Sequence, residues 1–183
     1  MTQVSKGANF LAPFILYKNI WRSSMNKLNF DYEIRKINNS FFEKYNKEEY
    51  PEIEIKKSRP YNFILFETKY DYFVAVPFRT NVKHNNAFKF VGSSRNRAGA
   101  SGLDYSKLLI IKNPNDIGEK TDIEKDEHSI LVKNIVKIGI EINEYIDDYR
   151  NHILGIKKMG KNKFKNRYIF STLKYFHKEL NLD

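Results

Sequence analysis

The apolar residues change period midway through the chain, and a single kind of regular structure cannot satisfy both halves. Tyr61 to Glu67 and Tyr72 to Phe78 are aromatic and β-branched runs separated by Thr68 to Asp71, the pattern of an antiparallel hairpin. Ala87 to Val91 and Lys107 to Lys112 read as further strands, with Gly92 to Ser106 between them as a long loop containing three glycines. Beyond this the spacing lengthens. Leu131, Ile135, Ile138, Ile142, Tyr145 and Tyr149 fall 4, 3, 4, 3 and 4 apart, one stripe of a helix of about 22 residues that Asp126 is placed to cap. Ile169, Leu173, Phe176 and Leu180 repeat the spacing, which predicts a second helix and makes residues 157–167 the connection. Near the start, Ser40 with Glu43 forms a capping box and Phe41 with Tyr45 an i, i+4 pair, predicting a short helix over 41–49 that stops before Pro51. Strands followed by helices predict an α+β fold, a small antiparallel sheet or barrel covered by helices.

Composition supports a folded core. Of 183 residues 41% are hydrophobic and 15% aromatic, too apolar for a disordered chain, and without cysteine there is neither a disulfide framework nor a thiolate zinc site. Residues 1–24 differ from the rest. They carry three bases, no acid and one apolar run, Phe10 to Tyr17, too short for the roughly 20 residues that span a bilayer and lacking a small-residue cleavage site. They are read as an extension outside the fold, with Met25 as the natural start and 25–183 as a single soluble, cytoplasmic domain.

The net charge of +10 is clustered. Residues 79–107 hold Arg79, Lys83, Lys89, Arg95, Arg97 and Lys107 against Asp104 alone. Residues 157–174 hold Lys157, Lys158, Lys161, Lys163, Lys165, Arg167 and Lys174 with no acid, while 115–150 carry ten acids and five bases. Two basic blocks flanking an acidic one are more than a lysine-rich codon usage would arrange, and they suit a polyanion such as RNA.

One stretch is chemically loaded. In Val76-Pro77-Phe78-Arg79-Thr80-Asn81-Val82-Lys83-His84-Asn85 an apolar strand ends at a proline and opens into polar groups that suit a phosphodiester. Arg and Lys neutralise nonbridging oxygens, a hydroxyl donates to them, and His or Lys moves protons. With RNA, the attacking group can be the substrate's own 2'-hydroxyl, already tethered beside the phosphorus, so neither metal nor protein nucleophile is required. The four histidines are scattered, and no HExxH, phosphate-binding GxxxxGK[ST] or GxSxG motif occurs. The residues alone point to a metal-independent RNA-binding protein or nuclease.

The strings Val76-Pro77-Phe78-Arg79-Thr80-Asn81-Val82-Lys83-His84, Gly102-Leu103-Asp104-Tyr105-Ser106-Lys107, Glu127-His128 and Arg167-Tyr168 with Phe170-Ser171-Thr172-Leu173, in that order, resemble the toxins of type III toxin-antitoxin systems. The resembled branch is the TenpIN group, related to ToxN and to the AbiQ abortive-infection proteins, and the likeness spans about Met25 to Leu180. It implies a Kid/MazF-like core, a strongly twisted antiparallel sheet or barrel with added helices. It also implies an antiviral endoribonuclease that needs no cofactor and leaves a 2',3'-cyclic phosphate and a 5'-hydroxyl. The implied partners are cellular or phage RNA as substrate and, as inhibitor, a small repeated pseudoknot RNA joined with the toxin in a higher-order complex.

By the same resemblance Thr80 is the matching hydroxyl, Lys83 the matching base, His84 a second proton carrier and Arg79 their catalytic neighbour. Arg59 falls at the position of an active-site lysine. Asn81, Lys89, Arg95, Arg97, Tyr105, Ser106, Lys107, Lys161, Lys163, Lys165 and Arg167 are expected to hold RNA, with Tyr105 and Ser106 against a base. The order Arg79-Thr80-Asn81-Val82-Lys83 departs from the ToxN branch, where a Thr-Ser pair and a nearer lysine follow the proline. Two other readings remain: a non-catalytic RNA-binding component of a ribonucleoprotein, and a membrane-surface protein anchored through residues 1–24.

Overall fold

The computed structural model describes residues 31–54, 61–68, 71–96 and 99–183, so the segment 1–24, Met25, Arg59 and Arg97 lie outside the described residues. Seven strands form one antiparallel sheet: β1 (Tyr32–Ile37), β2 (Phe63–Glu67), β3 (Phe73–Val82), β4 (Ala87–Lys89), β5 (Ala100–Asp104), β6 (Leu109–Ile111) and β7 (Ile117–Lys120). Their order is β4-β5-β3-β2-β1-β7, with β6 also on β3. With the three helices of the described residues, α1 (Asn39–Lys44), α2 (Lys125–Ile153) and α3 (Lys161–Tyr168), the fold is α+β. Among the described residues β4 and β7 stay unpaired to each other, so the sheet is open and does not close into a barrel.

β3 is the organising strand. Phe73–Pro77 pairs with β2, the hairpin expected from the sequence, and Phe73–Ala75 also pairs with β6. Further along, Phe78, Arg79 and Val82 pair with β5. The segment read as a loop over 92–106 therefore contains a strand. Gly102 shows why a glycine is there, since a Cβ on it would stand 2.3 Å from the carbonyl oxygen of Phe88 on the neighbouring strand. Between Leu103, opposite Phe78, and Leu109, opposite Ala75, the chain needs more residues than β3 supplies. The excess is wound into a 3-10 turn at Tyr105–Lys107, which places Asp104 and Lys107 beside Arg79.

Helix α2 buries the expected stripe, Leu131, Ile138, Ile142, Tyr145 and Tyr149, and partly buries Ile135. It runs for 29 residues and has no side-chain cap: Asp126 sits inside the first turn and accepts from Ser94 N at 2.6 Å, tying the β4–β5 loop to the helix. The short N-terminal helix also ends early, at Lys44, and Ser40 donates to Asp116 at 2.8 Å instead of capping. Its one fully buried residue, Phe41, packs on Tyr45 and Phe176, a contribution of about 1.5–3 kcal/mol.

The C-terminal region departs most from expectation. The supposed connection 157–167 holds helix α3, whose Phe164 and Tyr168 stack on Tyr149 and His152 of α2. The supposed second helix is reduced to a 3-10 turn, Thr172–Tyr175, because Thr172 donates its hydroxyl to the carbonyl of Leu108 and anchors the chain to the sheet. Leu173, Phe176 and Leu180 are buried as their spacing suggested, while Ile169 is exposed. No helix among the described residues is long and apolar enough to cross a membrane.

The aromatic seam between α2 and α3 carries a pH dependence. Burial pushes Tyr149 and Tyr168 up to about 12, against 10.0 for an unburied phenol. Between those values the folded state holds protons that the unfolded chain has released, so stability is untouched below pH 10 and falls as pH rises through 10 to 12. Spectrophotometric titration should show these phenolates forming together with loss of far-ultraviolet circular dichroism. Full ionisation near pH 10 with the fold intact would mean that the rings are not packed as described.

Candidate functional site

The site begins at an irregularity in β3. Arg79 faces Gly102 and Val82 faces Ala100, so β3 spends one residue more than β5 over this interval. The bulge is accommodated by Asn81, at φ 59°, a left-handed conformation that asparagine tolerates better than most residues. It breaks the alternation of the strand, leaving Thr80 and Asn81 exposed and returning Val82 to the interior. The chain then turns through Lys83 and His84.

Below the bulge lies a fully buried carboxylate. Asp104 is 0% exposed and accepts from Ser106 N at 3.0 Å and Ser106 Oγ at 2.6 Å. Its second oxygen takes Arg79 Nη1 at 2.6 Å and lies 3.3 Å from His84 Nε2. Such a charge is stable without water only when its lone pairs are filled, and here backbone, hydroxyl, guanidinium and imidazole fill them. His84 is 41% exposed in its side chain, so one nitrogen faces the carboxylate while the ring remains open to solvent.

Arg79 extends the network. Its Nη2 lies 2.9 Å from Glu54, which also accepts from the Tyr61 hydroxyl at 2.6 Å. Burial pulls the guanidinium pKa down, but Glu54 and Asp104 outweigh it and the net shift is upward, so Arg79 stays charged. Strand alternation puts Phe63, Pro77 and Arg79 on one face, where with Glu54, Tyr61, Lys107 and Leu109 they line a shallow dip of about 10 Å³, room for about one water. Lys107 donates to the carbonyl of Phe170 at 3.0 Å. Burial lowers its pKa, with Glu54 and Asp104 opposing. The phenol of Tyr61 is pushed up by burial and by its bond to Glu54.

The structure thus joins Arg79, His84 and Lys107, and adds Asp104, Glu54 and Tyr61, which the sequence reading did not place there. Thr80, Asn81 and Lys83 sit exposed on the bulge and the turn that follows it, and among the described residues no hydrogen bond or ion pair ties them to the cluster. Tyr105 and Ser106 do not present themselves to a base. The Tyr105 ring is 4% exposed, packs on Tyr145 and donates its hydroxyl to Glu141 at 2.7 Å, while Ser106 is committed to Asp104. Arg95 is held by the buried Glu127 at 3.0 Å, so it clips the β4–β5 loop to α2. Arg167 lies over Tyr145 and Tyr168 and 3.4 Å from Asp148. Lys89 is half-buried on β4, and Lys161, Lys163 and Lys165 project from α3 into solvent.

Glu54 carried no sequence signal, since it lies in a polar stretch far from the loaded motif. Asp104 carried one: it is the lone acid among the six cations of residues 79–107. Arranged this way, the cluster sets two cations, Arg79 and Lys107, beside two carboxylates, Asp104 and Glu54, and can move a proton through an imidazole fixed by a buried carboxylate. No protein-family model, curated protein or solved structure matches this chain.

Proposed function

We propose that the protein is an endoribonuclease toxin of a type III toxin-antitoxin system, working without metal on cellular or phage RNA and silenced by a repeated pseudoknot RNA. The observation that carries this reading is the exposed His84 held against buried Asp104, which also grips Arg79 at the open end of β3. In the proposed reaction His84 takes the proton of the 2'-hydroxyl, the 2'-oxygen bonds to phosphorus, and the bond from phosphorus to the 5'-oxygen breaks. The Lys83 ammonium gives the leaving oxygen its proton, Thr80 donates a hydrogen bond to a nonbridging oxygen, and Arg79 and Lys107 offset the charge that grows there. The products are a 2',3'-cyclic phosphate and a 5'-hydroxyl. The open, β3-centred sheet would correspond to the twisted core of the Kid/MazF fold.

The exposed lysines of α3 supply the sequence-independent attraction that both substrate and antitoxin RNA require. The same lysines would serve a non-catalytic RNA-binding component equally well, and a cleavage assay separates the two. Purified protein incubated with single-stranded RNA in EDTA should yield fragments ending in cyclic phosphate. Binding without cleavage would favour the ribonucleoprotein reading, and cleavage that appears only on adding a divalent metal would refute the mechanism.

A further inference from the structure

Phe170 is an exposed aromatic in an unusual setting. It is 66% exposed, and among the described residues no aromatic ring or cation lies on its ring. Its backbone is anchored, because its carbonyl accepts from Lys107 Nζ at 3.0 Å and the next residues are tied down: Ser171 is buried, and the Thr172 hydroxyl bonds to the Leu108 carbonyl. Lys107 also lines the dip beside Arg79, so one side chain joins Phe170 to the candidate site. On the other side Phe170 follows α3, where Lys161, Lys163 and Lys165 are exposed and form no ion pair among the described residues.

We infer that Phe170 is a stacking platform for an unpaired base of single-stranded RNA, setting the nucleotide that lies next to the Arg79–Asp104–His84 cluster. This rests on the RNA reading above. Every base has a π face, whereas the backbone needs cations, and here an exposed ring stands between the dip lined by Arg79 and Lys107 and a row of lysines. A protein partner fits less well, since lysine is depleted in protein interfaces and here three exposed lysines of α3 precede the exposed Ile169 and Phe170. Tyr105, expected from the sequence to meet the base, is turned inward, whereas Phe170, whose carbonyl is held by Lys107 of the same 105–107 turn, is exposed.

The test measures binding of a fluorescein-labelled 2'-O-methyl oligonucleotide, which lacks the attacking hydroxyl and stays uncut, at several salt concentrations. Phe170→Leu should weaken binding between about fivefold and a hundredfold. Phe170→Trp should retain it, and the slope against salt should be unchanged because no phosphate contact is lost. Lys163→Ala should instead flatten that slope. Binding of a duplex of equal length should not respond to Phe170→Leu. If the leucine variant binds single strands as well as the parent, the inference is overturned while the RNA reading stands. If the parent binds no RNA, both fall. If the leucine change alters only the mass of the protein in light scattering, the ring is a contact between protein chains and the inference is overturned.

Discussion

RNA cleavage by the His84→Ala protein should be slower by about 10²- to 10⁴-fold, the range for losing a positioned proton-transfer group, with the melting temperature unchanged. The two halves of that expectation come from different features of the same residue. His84 lies in an exposed turn outside the core, so truncating it removes almost no buried area. Asp104 keeps Ser106 and Arg79 as partners when the imidazole goes, so its charge is not stranded. What is lost is an imidazole with one nitrogen fixed on a carboxylate and its ring open to solvent. Lys83→Ala on the same turn should also abolish toxicity in cells, because the group assigned in the proposed reaction to protonate the leaving oxygen is then gone. Cleavage products quantified at saturating and sub-saturating RNA, beside a thermal melt, decide the matter. Wild-type rates in the folded His84→Ala protein would remove this residue from the chemistry and sink the proposed site.

The sequence made some of this legible through apolar periodicity and hid the rest where other forces hold the chain. The β2–β3 hairpin consists of two continuous apolar runs, and the stripe of α2 repeats its large apolar side chains at 3.6, so their burial was readable. β1 and β7 escaped because their pairing is dressed with cross-strand ion pairs, Lys36 to Glu119 and Lys120 to Glu33, each at 2.6 Å, and charge pairs leave no hydrophobic rhythm. β5 escaped because its Ala-Ser-Gly-Leu-Asp sequence is chosen for close approach and for the carboxylate at its end. Helix α3 has only Phe164 and Tyr168 to mark it, and those stack on the C-terminal end of α2, the helix before it. For the site, the loaded stretch after Pro77 contributes Arg79 and His84 to the cluster around Asp104, but the bulge at Asn81 that sends Thr80 outward is a backbone event without a residue-type signature strong enough to read. Glu54 reaches Arg79 only through the tertiary fold.

Asp104→Ala should be the most destabilising change at the site. It takes away a buried acceptor and leaves the Ser106 N–H and hydroxyl without their partner and Arg79 with Glu54 alone. Breaking one side of a buried pair costs about 3–5 kcal/mol, which in a domain of this size lowers the melting temperature by roughly 6–20 °C. Asp104→Asn separates the causes. Its amide oxygen still accepts from Ser106, but its NH2 turns a donor toward the donors of Arg79, so the loss should be smaller than for alanine yet distinct from zero. Adding Arg79→Met removes that conflict, and the double variant should recover part of the melting temperature lost by Asp104→Asn, while cleavage stays impaired because His84 has lost its anionic partner. Such a non-additive cycle would show that Asp104 and Arg79 act as one unit whose value lies in geometry more than in net stability. If the two single changes simply added, the carboxylate and the guanidinium would be independent neighbours, and the buried pair could not be what holds His84 and the end of β3 in place.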